Sequence, residues 1–338
     1  MTAHQKLLER LIRHQIQVQR FSGSQIKKAM PILRQLAKDL QARIQAGTAT
    51  EFQMGRMYAL QRDLAALAAE ASDNIQQALD LEDFAVQEGQ FTQQLLGASV
   101  SAQLSGGLNA EALRGLTTRR QLQLISGDTV KRMTIPQLWD EFSEAVGRNA
   151  LRTVQAGVLE GHTTQQMARD VSQMVATRTR RQAEAVIRTS VNGIGGAARD
   201  MVYQDNRDIL EGERFLAVLD SRTTLTCSGN DQKIFPLGQG PMPPLHYGCR
   251  SLRVPEVKPE YRIAAKGERA SYEGPVSNQL TYGGFLRNQS KEFQNDVLGP
   301  RRAELFRSGK VKIEQFTDDM GRVLTLDELA ARTGITLD

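Results

Sequence analysis

Apolar residues recur every three or four positions through most of the chain before residue 214, and that spacing predicts helices. Leu7, Leu8, Leu11, Ile12, Ile16 and Val18 form a first stripe, which Phe21-Ser-Gly-Ser is expected to break. The stripe resumes over 26–44 with Met30, Leu33, Leu36, Leu40 and Ile44, and places Pro31 in the first turn of a second helix. Residues 47–50 read as another break, with Thr50 as a cap. A long helix then covers 52–96, carrying Leu60, Leu64, Leu67, Ala71, Ile75 and Leu79, with Gly89 as a point of interruption. Such one-faced helices must bury their apolar side, so a helical hairpin or bundle is expected.

The small-residue run 97–107 reads as a flexible linker. Beyond it, 109–114 is a short helix ended by Gly115, and 122–128 is an apolar patch closing in a turn. Thr134 is placed to cap a helix reaching Leu159, and Thr163 or Thr164 to cap another over 165–175. A helix over 177–203 begins with Arg178, Arg180 and Arg181. Its middle, 193–198, is thin enough for another element to approach closely. A phosphate loop is excluded there, since no strand precedes it and no Lys-Ser/Thr follows.

Over 214–254 the pattern changes. Runs 214–219, 233–237 and 250–254 predict three short strands, separated by glycine- and proline-rich loops that cannot form regular structure. Both cysteines of the chain, Cys227 and Cys249, lie here with His246. His246-x-x-Cys249 lets two side chains reach one metal ion, with Cys227 as third ligand and Asp220, Asp231 or water as fourth. A structural zinc is therefore the candidate cofactor; the alternative is two small buried thiols and a hydrogen-bonded histidine. A disulfide is disfavoured by the absence of an n-region and h-region at the start of the chain, which implies synthesis in a reducing cytosol. Asp220 can also accept the amides of Arg222 and Thr223 in a turn, and Arg250 can pair with Asp220 or Asp231. A Cys227–His246 nucleophile pair oriented by Asp220 is the enzymatic alternative, although nothing near Cys227 reads as a helix N-terminus that would lower its pKa. A zinc deaminase would need H-x-E, which His246-Tyr247-Gly248 is not. After this island, 255–275 reads as an exposed loop. Helix over 285–306 is expected to break near Gly299-Pro300, and Thr325 with Glu328 to cap a last helix over 326–332. The tail is compact enough to dock.

The ordered set Asp220, Thr223, Cys227, Asp231, Pro244, His246, Cys249 and Arg250 resembles the signature of the phage Mu F-like minor head proteins, also called phage head morphogenesis proteins. The tail from Phe285 to Leu329 and the helix 183–203 resemble the flanks of that signature, so the likeness covers roughly 148–329. Relatives often end Cys-Arg-Cys, where this chain has Cys249-Arg250-Ser251, and Tyr247-Gly248 stands where Pro-Asn is usual. The resemblance implies a minor capsid protein of a tailed phage, present in several copies in the virion. It would act in procapsid assembly and DNA packaging at or near the portal inside the head, with the portal protein, the major capsid protein or both as partners. Exit with the DNA at infection is among the fates the family allows.

Composition changes this picture at one end only. The net charge is +5, yet residues 1–50 hold nine Lys/Arg against two acids, +7, which leaves −2 elsewhere. Arg10, Arg13, Lys27, Lys28 and Arg34 are the candidate contacts to packaged DNA, nonspecific and salt-sensitive. No stretch reaches the ~18 uninterrupted apolar residues of a membrane span, so no membrane contact is expected during assembly. The expected fold is mainly α with a small β element. A variable helical arm (1–100) precedes a helical part (108–213), a small antiparallel sheet with a Cys/His knot (214–258) and a loop with a short helical tail (259–338). The function expected is structural and not catalytic. The alternatives are a virion-associated Cys/His hydrolase or toxin-like enzyme, and a nonspecific DNA-binding protein.

Overall fold

The computed structural model describes residues 3–46, 54–127, 129–262, 268–271, 274–277, 279–318 and 321–336. The helices α1 Ala3–Ala46, α2 Met54–Ala78 and α3 Leu81–Gly97 come first. Two short turns, α4 Ala110–Arg114 and α5 Leu116–Arg119, lead into a two-stranded sheet of β1 Gln121–Ser126 and β2 Thr129–Thr134. The helices α6 Ile135–Leu159 and α7 Thr164–Met174 follow, and a π-helical turn at Val175–Thr179 runs on into α8 Arg180–Asp205. The central island holds β3 Leu210–Leu216, α9 Leu225–Ser228, β4 Ile234–Phe235 and β5 Leu252–Val257. A hairpin, β6 Glu268–Ser271 and β7 Gly274–Ser277, precedes the tail helices α10 Tyr282–Arg287, α11 Lys291–Leu298, α12 Pro300–Arg307 and α13 Leu326–Thr333. The fold is thus mainly helical with a small antiparallel sheet. Among the described residues no helix is long and apolar enough to cross a membrane.

The chain forms two compact units. One comprises residues 20–81 and 134–190; the other comprises 1–19, 82–133 and 191–338. The first is a helical bundle. The expected break at 21–24 is absent, because the buried stripe of α1 continues through polar side chains: Ser22 is 0% exposed and Gln25 1%. Ser24 donates its hydroxyl to the Phe21 carbonyl at 2.7 Å, which keeps it compatible with the helix. Pro31 therefore lies in the interior of a long helix and not in a first turn. The break between α2 and α3 falls at Leu79-Asp80, where Gln25 accepts the Asp80 amide (3.1 Å) and Lys28 pairs with its carboxylate. Gly89 stays helical, since a Cβ there would stand 2.9 Å from Leu113; the glycine admits a neighbour and breaks nothing. The break at 47–50 and the cap at Thr50 lie outside the described residues. Thr134 and Thr163 cap α6 and α7 as expected, each in a reciprocal pair with the glutamine three residues on.

In the second unit the sheet order is β4-β3-β5, all antiparallel, with Phe215 opposite Arg253 and Glu213 opposite both Phe235 and Pro255. The strands are offset from the expected 214–219, 233–237 and 250–254. β5 is buried at every residue despite Arg253 and Glu256, so the exposed loop expected at 255–275 begins only after Val257 and contains the β6–β7 hairpin. Arg253 reaches Glu213 at 3.1 Å; Glu256 takes Arg214 at 2.7 Å and Arg262 at 3.1 Å. Buried charge is tolerable only when paired in this way. Residues 97–107 are not a free linker: Val100 is buried and bridges to Arg262, and the Ser105 amide donates to Asn206 at 2.8 Å. The apolar patch expected at 122–128 forms most of β1 and runs into a turn at Gly127. The tail docks through a core of Leu219, Tyr282, Phe285, Leu298, Phe306 and Phe316. The helix expected over 285–306 breaks after Arg287 as well as at Gly299, whereas α13 has the expected Thr325–Glu328 cap.

Two measurements check this packing. Gly147 of α6 lies so close to α2 that an added Cβ would stand 3.1 Å from the Ala65 Cα. Gly147→Val should cost about 1–3 kcal/mol by overpacking, more than the helix-propensity gain, and lower the midpoint of thermal unfolding. Burial pushes the Glu213 carboxyl from 4.5 up to about 6, against the pull of Arg253. The native state therefore holds that proton to higher pH than the unfolded chain, and its stability falls as pH rises through this window. Glu213→Gln, which mimics the protonated carboxyl, should shift the stability gap in its own favour by about 2 kcal/mol between acid and neutral pH, read by urea unfolding.

Candidate functional site

The three chemistry-bearing side chains of the island meet at one point. Cys227 sits on α9, a single helical turn capped by Thr224, whose hydroxyl accepts the Cys227 amide at 3.4 Å. The expectation that no helix start lies near Cys227 is thus corrected; the polar run before it hid a capping threonine. His246 and Cys249 come from the loop between β4 and β5. The Cys249 amide closes a turn onto the His246 carbonyl at 3.1 Å. Gly248 makes that turn possible with φ +71°, a left-handed conformation that glycine adopts without a steric cost. The Cys227 Sγ lies 3.3 Å from His246 Nε2 and 3.7 Å from Cys249 Sγ.

The electrostatics follow from this crowding. Both thiols are 1% exposed and neither is in a disulfide. The hydrogen bond with Cys249, and burial after it, push the Cys227 thiol well up. The same bond, aided by His246, pulls Cys249 well down. Burial opposes charge on His246 most strongly, but the hydrogen bond with Cys249, the charge on that sulfur and the Tyr247 carbonyl together raise its pKa. His246 Nδ1 is 3.0 Å from the Tyr247 carbonyl, which can only accept, so Nδ1 carries hydrogen and the Nε2 lone pair faces the sulfurs. Cys227, His246 and Cys249 are the group able to hold a metal ion among the described residues.

Asp220 does not join them. Arg250 takes its carboxylate with both terminal nitrogens, Nη2 at 2.8 Å, and the Arg222 amide donates to it at 3.0 Å. Burial would raise this carboxyl, yet Arg250 holds it below its ordinary value. Of the two amides expected to meet Asp220, only that of Arg222 reaches the carboxylate; Thr223 brings its hydroxyl (3.3 Å) and turns its amide to the Asp220 carbonyl. Asp231 is also spent elsewhere. It accepts the Ala217 amide and the Tyr282 amide, each at 2.8 Å, and so ties the end of β3 to the start of the tail. Pro244 is buried after a cis peptide bond, against Gly193 of α8.

Three further residues hold the site, and the sequence reading missed them. Asn192 donates to the carbonyls of Cys249 (3.0 Å) and Ser251 (3.2 Å) and accepts from Gln15 at 2.8 Å. Gln15 also reaches the Arg250 carbonyl. The Tyr282 hydroxyl donates to the Asp220 carbonyl at 2.9 Å. The available signals were polar residues on otherwise apolar faces: Gln15 in the α1 stripe and Asn192 beside the thin middle of α8. The candidate DNA contacts Arg10, Arg13, Lys27, Lys28 and Arg34 all lie on exposed positions of α1, where Arg13 pairs with Glu9 and Lys28 with Asp80. The stripe residue Ile16 is 45% exposed.

Asp231→Ala should strand two buried amides and cost about 3 kcal/mol in urea unfolding. An unchanged midpoint would show that the carboxylate does not tie the sheet to the tail.

Residues 149–253 match a family model described as Phage Mu protein F like protein. No curated protein and no solved structure matches the chain. The matched segment ends on β5 and takes in Cys227, His246 and Cys249 together with the Asp220–Arg250 pair. Over residues 149–253 the chain is therefore similar to the phage Mu F-like family.

Proposed function

We propose that this chain is a minor head protein of a tailed phage, a structural component of head morphogenesis. The observation that carries the reading is the F-like segment, because its signature residues are the ones consumed in holding a loop rigid. In the finer reading the protein acts at or near the portal inside the head, in several copies, during procapsid assembly and DNA packaging. The loop from Asp220 to Arg250, tied by these side chains into a clasp, stiffens the module that docks on portal or shell protein. The exposed basic residues of α1 face packaged DNA through salt-sensitive phosphate contact. The portal, shell and packaging assignments extend the family likeness, and the DNA contact rests on the exposed basic residues of α1.

Catalysis is the weaker reading. Cys227 and His246 are within reach of each other, which favours a nucleophile–base pair. Yet Asp220 faces Arg250 and not the histidine, and His246 Nδ1 is spent on a backbone carbonyl. The cleft beside them has a volume of ≈ 10 Å³, room for a water and not for a substrate.

The test is co-assembly. Purified chain mixed with its own portal protein should co-sediment as a complex, and heads made without it should stall before maturation. Failure to associate, together with normal maturation of heads lacking the chain, would overturn the assembly role. Reversing Arg10, Lys27 and Arg34 to Glu should weaken DNA binding and flatten its salt dependence without changing portal binding.

A further inference from the structure

The Cys/His cluster has the dimensions of a metal site. Zinc holds thiolate sulfur at ≈ 2.3 Å and imidazole nitrogen at ≈ 2.0–2.1 Å, so tetrahedral ligands stand about 3.8 Å apart for S–S and about 3.6 Å for S–N. The separations here are 3.7 Å and 3.3 Å, and the three donor atoms lie within 4.8 Å of one another. The lone pair of His246 Nε2 points to the sulfurs because the other ring nitrogen donates to the Tyr247 carbonyl, the usual way a ligand histidine is oriented.

Charge fits as well. Two thiolates neutralise one divalent cation, and Arg250 beside them is already neutralised by Asp220. A carboxylate ligand would leave that balance negative and strip Arg250 of its partner. The remaining coordination position opens on the small cleft lined by Thr223, His246, Arg250 and Ser251 among others, where one water fits. Soft sulfur with imidazole selects zinc over magnesium or calcium.

We propose that Cys227, His246 and Cys249 bind one zinc ion, with a water in the adjoining cleft as its fourth ligand. Both cysteines bind as thiolates, and their protons leave to solvent. The ion ties α9 to the turn at 246–249 and so closes the loop between them. It acts as a staple, independently of what the chain docks on.

The full chain, made in zinc-supplemented medium and purified without chelator, should carry about one zinc per chain by elemental analysis. Cys227→Ser and Cys249→Ser should each lose it, whereas His162→Ala, at a histidine outside the cluster, should keep it. Loss of zinc from a folded His162→Ala protein would overturn the ligand set. Because the serine variants can fail to fold, the wild-type protein provides a second measurement. After removal of metal with a chelator, its thermal midpoint should fall and recover with zinc. Cobalt added to that apoprotein should give thiolate charge-transfer bands and the ligand-field bands of a tetrahedral centre. A wild-type protein with less than about a tenth of an equivalent of zinc, and either two free thiols or a Cys227–Cys249 disulfide by mass, would overturn the proposal. A cobalt spectrum without thiolate bands would do the same.

Discussion

An irregular segment cannot be buried unless something replaces the hydrogen bonds that a strand or helix would supply. That constraint governs the island between β3 and β5. Its backbone is folded into turns, and much of it is inaccessible to water: Thr226, Ser228, Asn230, Asp231 and Ser251 are all buried. The missing ladder is supplied by side chains. Asp231 serves two amides, Asn192 serves two carbonyls, and Asn230 donates to the Thr226 carbonyl at 2.8 Å. Each of these bonds is worth more for preventing an orphaned buried group than for its net attraction. The polar residues of the signature are thus the condition for packing this loop at all.

The glycines of α8 follow from the same demand. For Asn192 to reach the carbonyls of Cys249 and Ser251, the loop must come almost against the helix. A Cβ on Gly193 would meet Leu122 at 2.7 Å and Pro244 at 3.4 Å, and one on Gly196 the Pro243 carbonyl at 3.3 Å. On another side Gly195 leaves room for Phe84 and Glu88 of α3. The helix gives up propensity, roughly 1 kcal/mol for each glycine against alanine. In exchange it gains contact with the loop on one side and with α3 on the other.

Seen from the sequence, the helices and their caps were the legible part, because Thr134, Thr163 and Thr325 each stand three residues before the glutamine or glutamate that answers them. Polarity was what misled. Ser22 and Gln25 look like a break in a stripe but lie on its buried side. Arg253 and Glu256 look like surface charge, whereas their partners Glu213 and Arg214 arrive from the neighbouring strand, and no local pattern encodes that pairing. The site was legible in its members and not in its geometry. Cys227, His246 and Cys249 do converge, but Asp220 could have faced either the histidine or Arg250, and only the three-dimensional arrangement decides for the arginine.

That decision bears on function. A catalytic cysteine needs a thiolate that a substrate can reach, a base free to exchange protons and an orienting acid. Here the thiol is 1% exposed, and the acid is bound on both oxygens by a guanidinium. A clasp has the opposite requirements: every polar atom committed, little open volume and strong coupling to what surrounds it. Tyr282 shows the coupling most directly. Its amide goes to Asp231 and its hydroxyl to the Asp220 carbonyl, while its ring packs edge-on to Phe285 in the core of the tail. The tail core is therefore built on the clasp, so whatever fixes the loop also fixes the helices that follow it. This coupling supports the structural role proposed above, since a loop fixed in this way holds the shape of the helices built on it.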